Sequence, residues 1–375
     1  MKLTINKNTL VNALQIITPI TDKSSSKPIL SNFLLKAVKS GEKGLVEFSA
    51  TDYEVSIKGE FEASVEEEGS VCISAKRALE VCREFLTDEI EVSSDEKLWV
   101  NLKGGASYLH LPSVDIGLYP ILETMELPNK FSINAGDLKQ CIDLTLFASL
   151  TNETRKNLMG VCLQRGEDNS TRWVATDGHR LAQVTRNVSD PTGDTPPEII
   201  IPRKTLSEIQ RILEKGDEPV HVAYDDRNLM LTAGKMVLTS RLIEGKFPNV
   251  DPVIPKDNDK VISVDKERLT NALKIISFMS NDKIKPVKLK FNQGSLSLES
   301  ERAEYGDVKD ELTINYNYEE MSIGFNARYL LDVLGVINQG STVELHLKGS
   351  LNPCLVKVPE DSGFISVVMP LRIEW

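Results

Sequence analysis

Hydrophobic and polar residues follow one pattern that occurs three times along the chain. Segments beginning at Lys2, Lys130 and Lys260 each start with a short alternating run, continue through a polar turn, and then carry apolar residues at i, i+4 and i+7, with Thr145 at i+7 of the second. Alternation predicts a strand, and the i, i+4, i+7 spacing predicts a helix with one buried face. Each segment therefore predicts a strand followed by a helix.

Two further landmarks repeat with nearly the same spacing. The segments ISAKRALEVCREF, IPRKTLSEIQRIL and FNARYLLDVLGVI each place a strand end and a polar residue before a second helical pattern. Each copy then ends with a bulky apolar residue before proline, at Tyr119-Pro120, Phe247-Pro248 and Met369-Pro370. A period of roughly 125 residues is too long for a solenoid repeat, so the pattern predicts three whole domains of one kind.

Between the two helices of each module, short alternating runs separated by turn residues predict antiparallel strands. Asp177-Gly178 stands between two such runs and predicts a tight hairpin. The expected fold is therefore α+β, with three repeated domains that each hold two helices and antiparallel sheets. Polar stretches near Pro128 and Lys256 place the modules at 1–128, 129–256 and 257–375.

Charge and composition disfavour several classes of function. The chain has 44 Lys and Arg against 55 Asp and Glu, a net charge of −11, which disfavours coating nucleic acid by bulk charge. Basic residues recur around the helices of all three modules, which favours a local basic surface. The five cysteines are scattered, so neither a disulfide framework nor a zinc site is expected, and a reducing cytoplasm fits. We expect no membrane segment and no signal peptide.

Candidate catalytic chemistry is sparse. The sequence contains no phosphate-binding glycine loop, zinc-protease motif or nucleophile elbow, and we expect no metal or cofactor. In the TDGHR segment at 176–180, Asp177 and His179 could form an acid–base pair. The matching hairpin of module one carries TDY at 51–53 without the histidine. Threonine and aspartate therefore belong to the scaffold, and the added GHR favours binding over catalysis.

The apolar run at 365–373, ISVVMPLRI, lies almost at the end of the chain. Pro370 cannot donate to a sheet ladder, so we expect the run to finish on a sheet edge. Val367 is a candidate for the core. The MPLR part is expected to form the wall of a surface groove, because flexible Met and Leu side chains suit a varied apolar partner.

The threefold repeat, TDGHRLA, the FP of GKFPNV, GFNARYLLDVL and the MPLR ending together resemble the bacterial sliding clamp family, the beta subunit of DNA polymerase III, over all 375 residues. The resemblance implies a head-to-tail homodimer that forms a six-domain ring around duplex DNA, with helices inside and sheets outside. It implies a non-catalytic tether that gives the polymerase processivity. Its implied partners are double-stranded DNA of any sequence, the polymerase alpha subunit, the clamp-loader delta subunit and other proteins with a clamp-binding motif.

The resemblance also implies a pocket for a short extended peptide, formed by modules two and three. We expect an apolar floor from Leu181, Val253, Val367 and Met369 and a polar rim from His179, Arg180, Asn326 and Arg372. The implied pocket residues are Leu158, Thr176, Gly178, His179, Arg180, Leu181, Pro248, Val253, Asn326, Tyr329, Val367, Val368, Met369, Pro370, Leu371 and Arg372. The chain departs from the family pattern at Ser24 and Pro252, where arginines occur, and in the extension Glu374-Trp375.

Two more surfaces are predicted. Loops that follow the first helix of modules one and two should face DNA through Lys23, Lys27, Asn152, Arg155 and Lys156. A dimer contact should join module three of one chain to module one of the next, because Phe278-Met279 is a bulky apolar pair at a helix end. The proposed interface residues are Lys76, Arg77, Tyr108, Leu109, Phe278 and Met279, and we expect Tyr108 and Leu109 to lie on an edge strand of module one.

Two alternatives remain open on the residues alone. One is a hydrolase that uses Asp177 and His179, which a turnover assay with added divalent metal would reveal. The other is a non-catalytic three-domain scaffold that does not encircle DNA. Loading onto nicked circular DNA, followed by linearisation, separates both from a clamp.

Overall fold

The computed structural model describes most of the chain. The described residues are 1–21, 27–40, 44–95, 99–120, 125–152, 155–166, 168–193, 198–213, 218–278, 284–302, 306–338 and 340–372. Within them the chain forms six α-helices and 25 strands, which confirms the predicted α+β class. The longest of these helices has 13 residues, so none reaches the roughly 20 apolar residues of a membrane span.

The helices occur two to a module, where the repeated pattern predicts them. They are α1 Lys7–Ile17, α2 Ala75–Glu84, α3 Ala135–Leu146, α4 Arg203–Leu213, α5 Lys266–Phe278 and α6 Ala327–Val336. The first helix of each module begins after Asn6, Asn134 or Asp265. In each case the side-chain oxygen accepts a backbone N–H of the first turn at 2.7–2.9 Å. These caps satisfy N–H groups that have no partner within the helix.

The strands follow the same repeat. Module one contains β1 Lys2–Asn6, β2 Asn32–Val38, β3 Gly44–Thr51, β4 Val55–Glu67, β5 Gly69–Ser74, β6 Glu89–Ser94, β7 Trp99–Gly104 and β8 Ser107–Pro112. Module two contains β9 Asn129–Asn134, β10 Gly160–Arg165, β11 Ser170–Thr176, β12 Arg180–Asn187, β13 Ser189–Thr192, β14 Glu198–Pro202, β15 Pro219–Tyr224, β16 Asn228–Ala233 and β17 Met236–Arg241. Module three contains β18 Lys260–Asp265, β19 Pro286–Asn292, β20 Ser295–Arg302, β21 Gly306–Thr313, β22 Met321–Asn326, β23 Thr342–Leu347, β24 Cys354–Val358 and β25 Asp361–Val368.

One compact unit consists of Met1–Gly136, Val188–Pro196 and Lys204–Leu242. Its sheet of thirteen described strands runs β13-β9-β15-β16-β17-β4-β1-β6-β7-β8, and β3, β2 and β5 branch from β4. Strand β17 of module two pairs with β4 of module one, which joins the two modules in one sheet. Strand β8 ends the order, so Tyr108 and Leu109 lie on an edge strand, as the sequence predicts.

The second compact unit consists of Asp137–Asn187, Pro197–Arg203 and Ile243–Trp375. It contains an eight-stranded sheet, β14-β10-β11-β12-β25-β24-β23-β18, and a four-stranded sheet, β21-β20-β19-β22. Strand β12 of module two pairs with β25 of module three. Module two thus contributes strands to both units, because the grouping follows the sheets. The module boundaries near Pro128 and Lys256 stay a prediction.

The expectation that residues 365–373 finish on a sheet edge is wrong for β25. This strand lies between β12 and β24 and pairs with both. The chain leaves the sheet only after Val368, where Pro370 has no N–H to continue a ladder. The Leu371 backbone N–H then donates to the Gly324 carbonyl at 2.8 Å, on β22 at the end of the four-stranded sheet. Ile373 lies outside the described residues.

Candidate functional site

The predicted hairpin joins β11 and β12, and two side chains hold its turn. Thr176 Oγ1 accepts from the Gly178 N–H at 3.1 Å and donates to the Arg180 carbonyl at 2.7 Å. Asp177 Oδ1 accepts from the backbone N–H groups of His179 and Arg180, at 2.9 and 3.0 Å. Gly178 has φ 91°, a left-handed conformation that favours glycine. The Thr-Asp pair therefore acts as a scaffold for the turn.

Arg180 is held by groups from three parts of the chain. Its Nε donates to Asp177 Oδ2 at 3.2 Å, Nη1 to Asp332 Oδ2 at 2.5 Å, and Nη2 to the Phe147 carbonyl at 2.8 Å. Its Cζ lies 5.3 Å from the ring centroid of Phe147 and 4.7 Å from that of Tyr329. The side chain is 10% exposed. Sequence reasoning expects Arg180 on a polar rim, but its guanidinium instead ties the hairpin to α6 and to the end of α3.

Sequence reasoning missed Phe147 and Asp332. Phe147 directly follows α3, and Asp332 lies one turn after Tyr329 on α6. The spacing of Tyr329 and Asp332 at i and i+3 puts both on one helix face, which is a signal that the sequence does contain. Their common target, Arg180, is visible only in the fold.

Asp177 and His179 do not form an acid–base pair. Both carboxylate oxygens of Asp177 bind backbone N–H groups or Arg180. The exposed His179 ring stacks on Tyr329, with centroids 6.3 Å apart and an interplanar angle of 18°. Burial raises the pKa of the Tyr329 phenol, so it stays neutral at physiological pH. The geometry is that of a polar and aromatic surface.

An apolar cluster lies beneath this hairpin. It contains Leu158, Leu181 and Val367, with Leu181 directly opposite Val367 across the β12–β25 pair. The rest of the cluster is Cys162, Val174, Ile200, Phe247, Val250 and Leu355. Met369 is half-buried at the end of β25, and its backbone N–H donates to the His179 carbonyl at 2.9 Å. This hydrogen bond connects the residues that follow β25 to the hairpin.

The loop that carries Pro248 and Val253 forms another part of this surface. Pro248 is exposed next to the buried Phe247, and Val253 is 44% exposed. Arg172 Nη2 donates to Asp251 Oδ1 at 2.6 Å, which anchors the loop to β11. An exposed valine held by an anchored loop is available to a ligand.

Three other predicted pocket residues differ in exposure. Asn326 is 3% exposed, and its Oδ1 accepts from the Arg328 N–H at 3.1 Å as the cap of α6. Its side chain is thus engaged in the helix cap and does not form an exposed rim. Val368 is fully buried, whereas Arg372 is exposed. Pro370 and Leu371 are half-buried.

The predicted DNA-facing residues divide between the two units. Lys27 belongs to the first, and its Nζ lies 4.6 Å from the centroid of the Tyr53 ring. Arg155 belongs to the second, and its Nη2 donates to the Asp177 carbonyl at 3.0 Å, beneath the hairpin. Asn152 and Lys156 are exposed near it in sequence. Lys23 lies outside the described residues.

The predicted dimer residues include two strongly exposed aromatic side chains. Phe278 is the last residue of α5 and is 80% exposed, and Tyr108 on β8 is 72% exposed. Leu109 is half-buried on the same strand. Large exposed apolar side chains favour an interface. The remaining predicted residues are Lys76 and Arg77, both exposed on α2, and Met279, which lies outside the described residues.

Comparison with known proteins decides the family. Models of the DNA polymerase III beta subunit match its N-terminal domain to residues 1–123, its central domain to 132–249 and its C-terminal domain to 251–372. The chain belongs to the DNA polymerase III beta subunit family. It is 34% identical to a beta sliding clamp of Caulobacter vibrioides over 380 residues, with 100% of both chains covered.

Solved structures agree with this assignment. The DnaN sliding clamp from Bartonella birtlesii, bound to griselimycin, has a TM-score of 0.92 at 31% identity. The DNA polymerase III beta subunit from Pseudomonas aeruginosa has a TM-score of 0.91 at 30% identity. Both comparisons cover 100% of each chain.

The family settles the class of function. The chain is a sliding clamp, a non-catalytic processivity factor of DNA replication, and not an enzyme. The hydrolase alternative is not favoured, in keeping with the engaged carboxylate of Asp177. Among the described residues, no group of three or more His, Cys, Asp or Glu side chains is placed to hold a metal ion.

Proposed function

We propose that the surface around the β11–β12 hairpin is where the clamp captures the polymerase. We call this surface the apolar groove and define it by the sixteen pocket residues given above. The clamp itself is a homodimeric ring that holds duplex DNA and tethers DNA polymerase III. The observation that carries the proposal is the buried cluster of Leu158, Leu181 and Val367. The exposed His179 is two residues from Leu181 in sequence, and the exposed Val253 is three residues from Val250 of the same cluster.

The ligand of the apolar groove is a short extended peptide. Burying two or three apolar side chains at roughly 1.5–3 kcal/mol each, less the cost of ordering the peptide, gives micromolar affinity. The polymerase alpha subunit, the clamp-loader delta subunit and other proteins with the motif would compete for it. Because a dimer presents two such grooves, a partner with two motifs gains avidity.

Peptide binding tests the apolar groove. Met369→Ala removes a half-buried side chain beside the hairpin, and we expect about tenfold weaker binding of a labelled polymerase C-terminal peptide, with an unchanged melt. Leu351→Ala, in an exposed loop of the same unit, is the matched control and should bind normally. Unaltered peptide affinity in Met369→Ala would show that the groove lies elsewhere.

Sliding requires weak contacts with DNA. Lys27, Asn152, Arg155 and Lys156 are proposed to touch phosphates without reading sequence, together with Lys23. Arg155 also supports the hairpin, so its loss would combine two effects. The cleaner test replaces Lys27 and Lys156 with glutamine. Retention on nicked circular DNA should become less sensitive to salt, and release on linearisation should persist.

Dimerisation is proposed to join α5 of one chain to β8 of another. Phe278→Asp places a charge at an 80% exposed aromatic position, so we expect a folded monomer in sedimentation. Leu351→Asp, a charge at a similarly exposed position, should leave the dimer intact. A Phe278→Asp protein that sediments as a dimer would refute this interface.

The cytoplasm is the proposed location. All five cysteines are buried and unpaired. Burial raises the pKa of the Cys72 and Cys82 thiols to about 12, so both stay protonated. Free buried thiols suit a reducing compartment.

A further inference from the structure

The first unit repeats the scaffold of the apolar groove. The hairpin between β3 and β4 has the same bonding pattern as the one between β11 and β12. Thr51 Oγ1 accepts from the Tyr53 N–H at 3.0 Å and donates to the Val55 carbonyl at 3.2 Å. Asp52 Oδ1 accepts from the N–H groups of Glu54 and Val55, at 2.9 and 2.7 Å. Tyr53 takes φ 75°, the left-handed conformation that Gly178 takes in module two.

In both units, a strand from the following module pairs with the second strand of the hairpin. Strand β17 pairs with β4 as β25 pairs with β12. The Arg241 N–H donates to the Glu54 carbonyl at 2.9 Å, as the Met369 N–H donates to the His179 carbonyl at 2.9 Å. The two ends therefore meet in the same register, and Arg241 occupies the position of Met369. The sequence match of Met369-Pro370 with Phe247-Pro248 is thus wrong, because strand register sets the correspondence.

A cavity of about 210 Å³ lies at this second hairpin. Its lining includes Pro120 and Met125, each 128 residues before Pro248 and Val253 of the apolar groove. We call this site the polar groove, and its lining residues are Thr51, Tyr53, Glu54, Ser56, Pro120, Met125, Asn228, Thr239, Ser240 and Arg241. The volume accommodates side chains of a peptide but is smaller than a typical drug-sized pocket.

The two grooves differ in chemistry at four positions that the paired strands contribute. The pairing registers put Ser56 where the apolar groove has Leu181, and Thr239 where it has Val367. Ser240 replaces Val368, and Arg241 replaces Met369. The Ser56 hydroxyl bonds to Thr51 Oγ1 at 2.7 Å and the Ser240 hydroxyl to Thr205 Oγ1 at 2.6 Å, so hydroxyl groups stand where the apolar groove has hydrocarbon side chains. The polar groove is therefore unsuited to the apolar motif.

The charged residues around the polar groove indicate the charge of its ligand. Arg241 is exposed and forms no ion pair within the part of the chain that the structure describes. Lys27 lies over the Tyr53 ring, and Lys204 pairs with Asp52. These cations outnumber the acidic groups Asp52 and Glu54. A guanidinium favours a carboxylate, which it can bind through two parallel N–H donors.

We propose that the polar groove is a second peptide-binding site of the clamp, which takes an extended segment carrying an acidic side chain. The carboxylate binds Arg241, and polar side chains of the segment bond to Ser56 and Thr239. The assignment of an extended peptide as ligand rests on the proposed function of the apolar groove, because the two grooves share the same hairpin and strand pairing. The acidic preference rests on Arg241 and on the excess of cations around the groove.

Methionine-methyl NMR of the full dimer tests this, because each groove contains one methionine as a reporter. Met125 lies in the polar groove and Met369 in the apolar groove. The probes are two blocked hexapeptides, GDSDSG and GLSLFG. We expect GDSDSG to shift the Met125 signal and not that of Met369. Arg241→Gln should weaken that binding at least about fivefold, whereas Arg83→Gln on α2 should not change it.

The outcomes for the two sites are separable. If GDSDSG leaves Met125 unmoved, or binds Arg241→Gln as tightly as the unaltered chain, the polar groove is not an acidic-peptide site. If GLSLFG fails to shift Met369 while GDSDSG shifts Met125, the apolar groove fails and the polar groove stands. An unchanged melt of Arg241→Gln would establish that weaker binding reflects the lost guanidinium.

Discussion

The hairpins at 51–55 and 176–180 have the same backbone and different surroundings. In both, a Thr-Asp pair binds the turn. The fifth residue differs: it is Val55 in one, 1% exposed, and Arg180 in the other. Arg180 draws in Asp332 of α6, whereas the valine needs only apolar neighbours. The same hairpin backbone thus presents two different surfaces, depending on whether its fifth residue is valine or arginine.

The helices that face the hairpins differ accordingly. On α6, Tyr329 and Asp332 both contact Arg180. The corresponding residues of α4, 124 positions earlier, are Thr205 and Glu208. Thr205 Oγ1 bonds to Ser240 Oγ at 2.6 Å, and Glu208 pairs with Arg211 on its own helix. Repetition therefore preserved the helix and changed the contacts that these two positions make.

The largest expected effect comes from removing Arg180. Arg180→Ala leaves the carboxylates of Asp177 and Asp332 without their cation in a mostly buried site, so we expect a loss of about 3–5 kcal/mol of unfolding free energy. Val55→Ala at the matched position removes two methyl groups and should cost roughly 1.5–2 kcal/mol. Urea unfolding measures both. Equal losses would mean that Arg180 is not the element that distinguishes the hairpins.

Substitutions at the left-handed turn residues, Gly178 and Tyr53, should change the unfolding free energy by smaller amounts and in opposite directions. Gly178→Ala forces a left-handed alanine whose Cβ lies 3.0 Å from Arg155 Nη2, at a cost of about 1–2 kcal/mol. Tyr53→Gly relieves a left-handed tyrosine, so it should be neutral or stabilise by up to about 1 kcal/mol. The same urea experiment decides the matter. A change of the same sign at both sites would contradict the shared backbone geometry.

The smallest effect is expected at Lys204, which pairs with Asp52. Its side chain is 43% exposed, so Lys204→Ala should change the unfolding free energy by less than about 1 kcal/mol, and less still at high salt. Lys103→Ala, at an exposed pair on β7, serves as the control. A loss as large as that of Arg180→Ala would show that both hairpins depend equally on an ion pair.

Local patterns in the sequence were enough to predict the helices and the hairpin turn. The i, i+4, i+7 stripes predict the first helix of each module, and the structure adds that the side chains of Asn6, Asn134 and Asp265 cap these helices. Asp177-Gly178 predicts its hairpin, because the turn depends on residues within five positions of one another. The edge position of Tyr108 also follows from sequence, whereas that of 365–368 does not, since only strand pairing decides whether a strand has one neighbour or two.

By itself the sequence determined three repeats, six helices and the Thr-Asp turns, because short-range hydrogen bonds and helical periodicity depend on neighbouring residues. The tertiary structure decided that Arg180 is bound within the protein, since its partner Asp332 is 152 residues away. It also decided that Arg241 takes the place of Met369, because strand register between modules sets which side chains line each groove. Contacts across such distances depend on how the sheets pair, which no local pattern encodes.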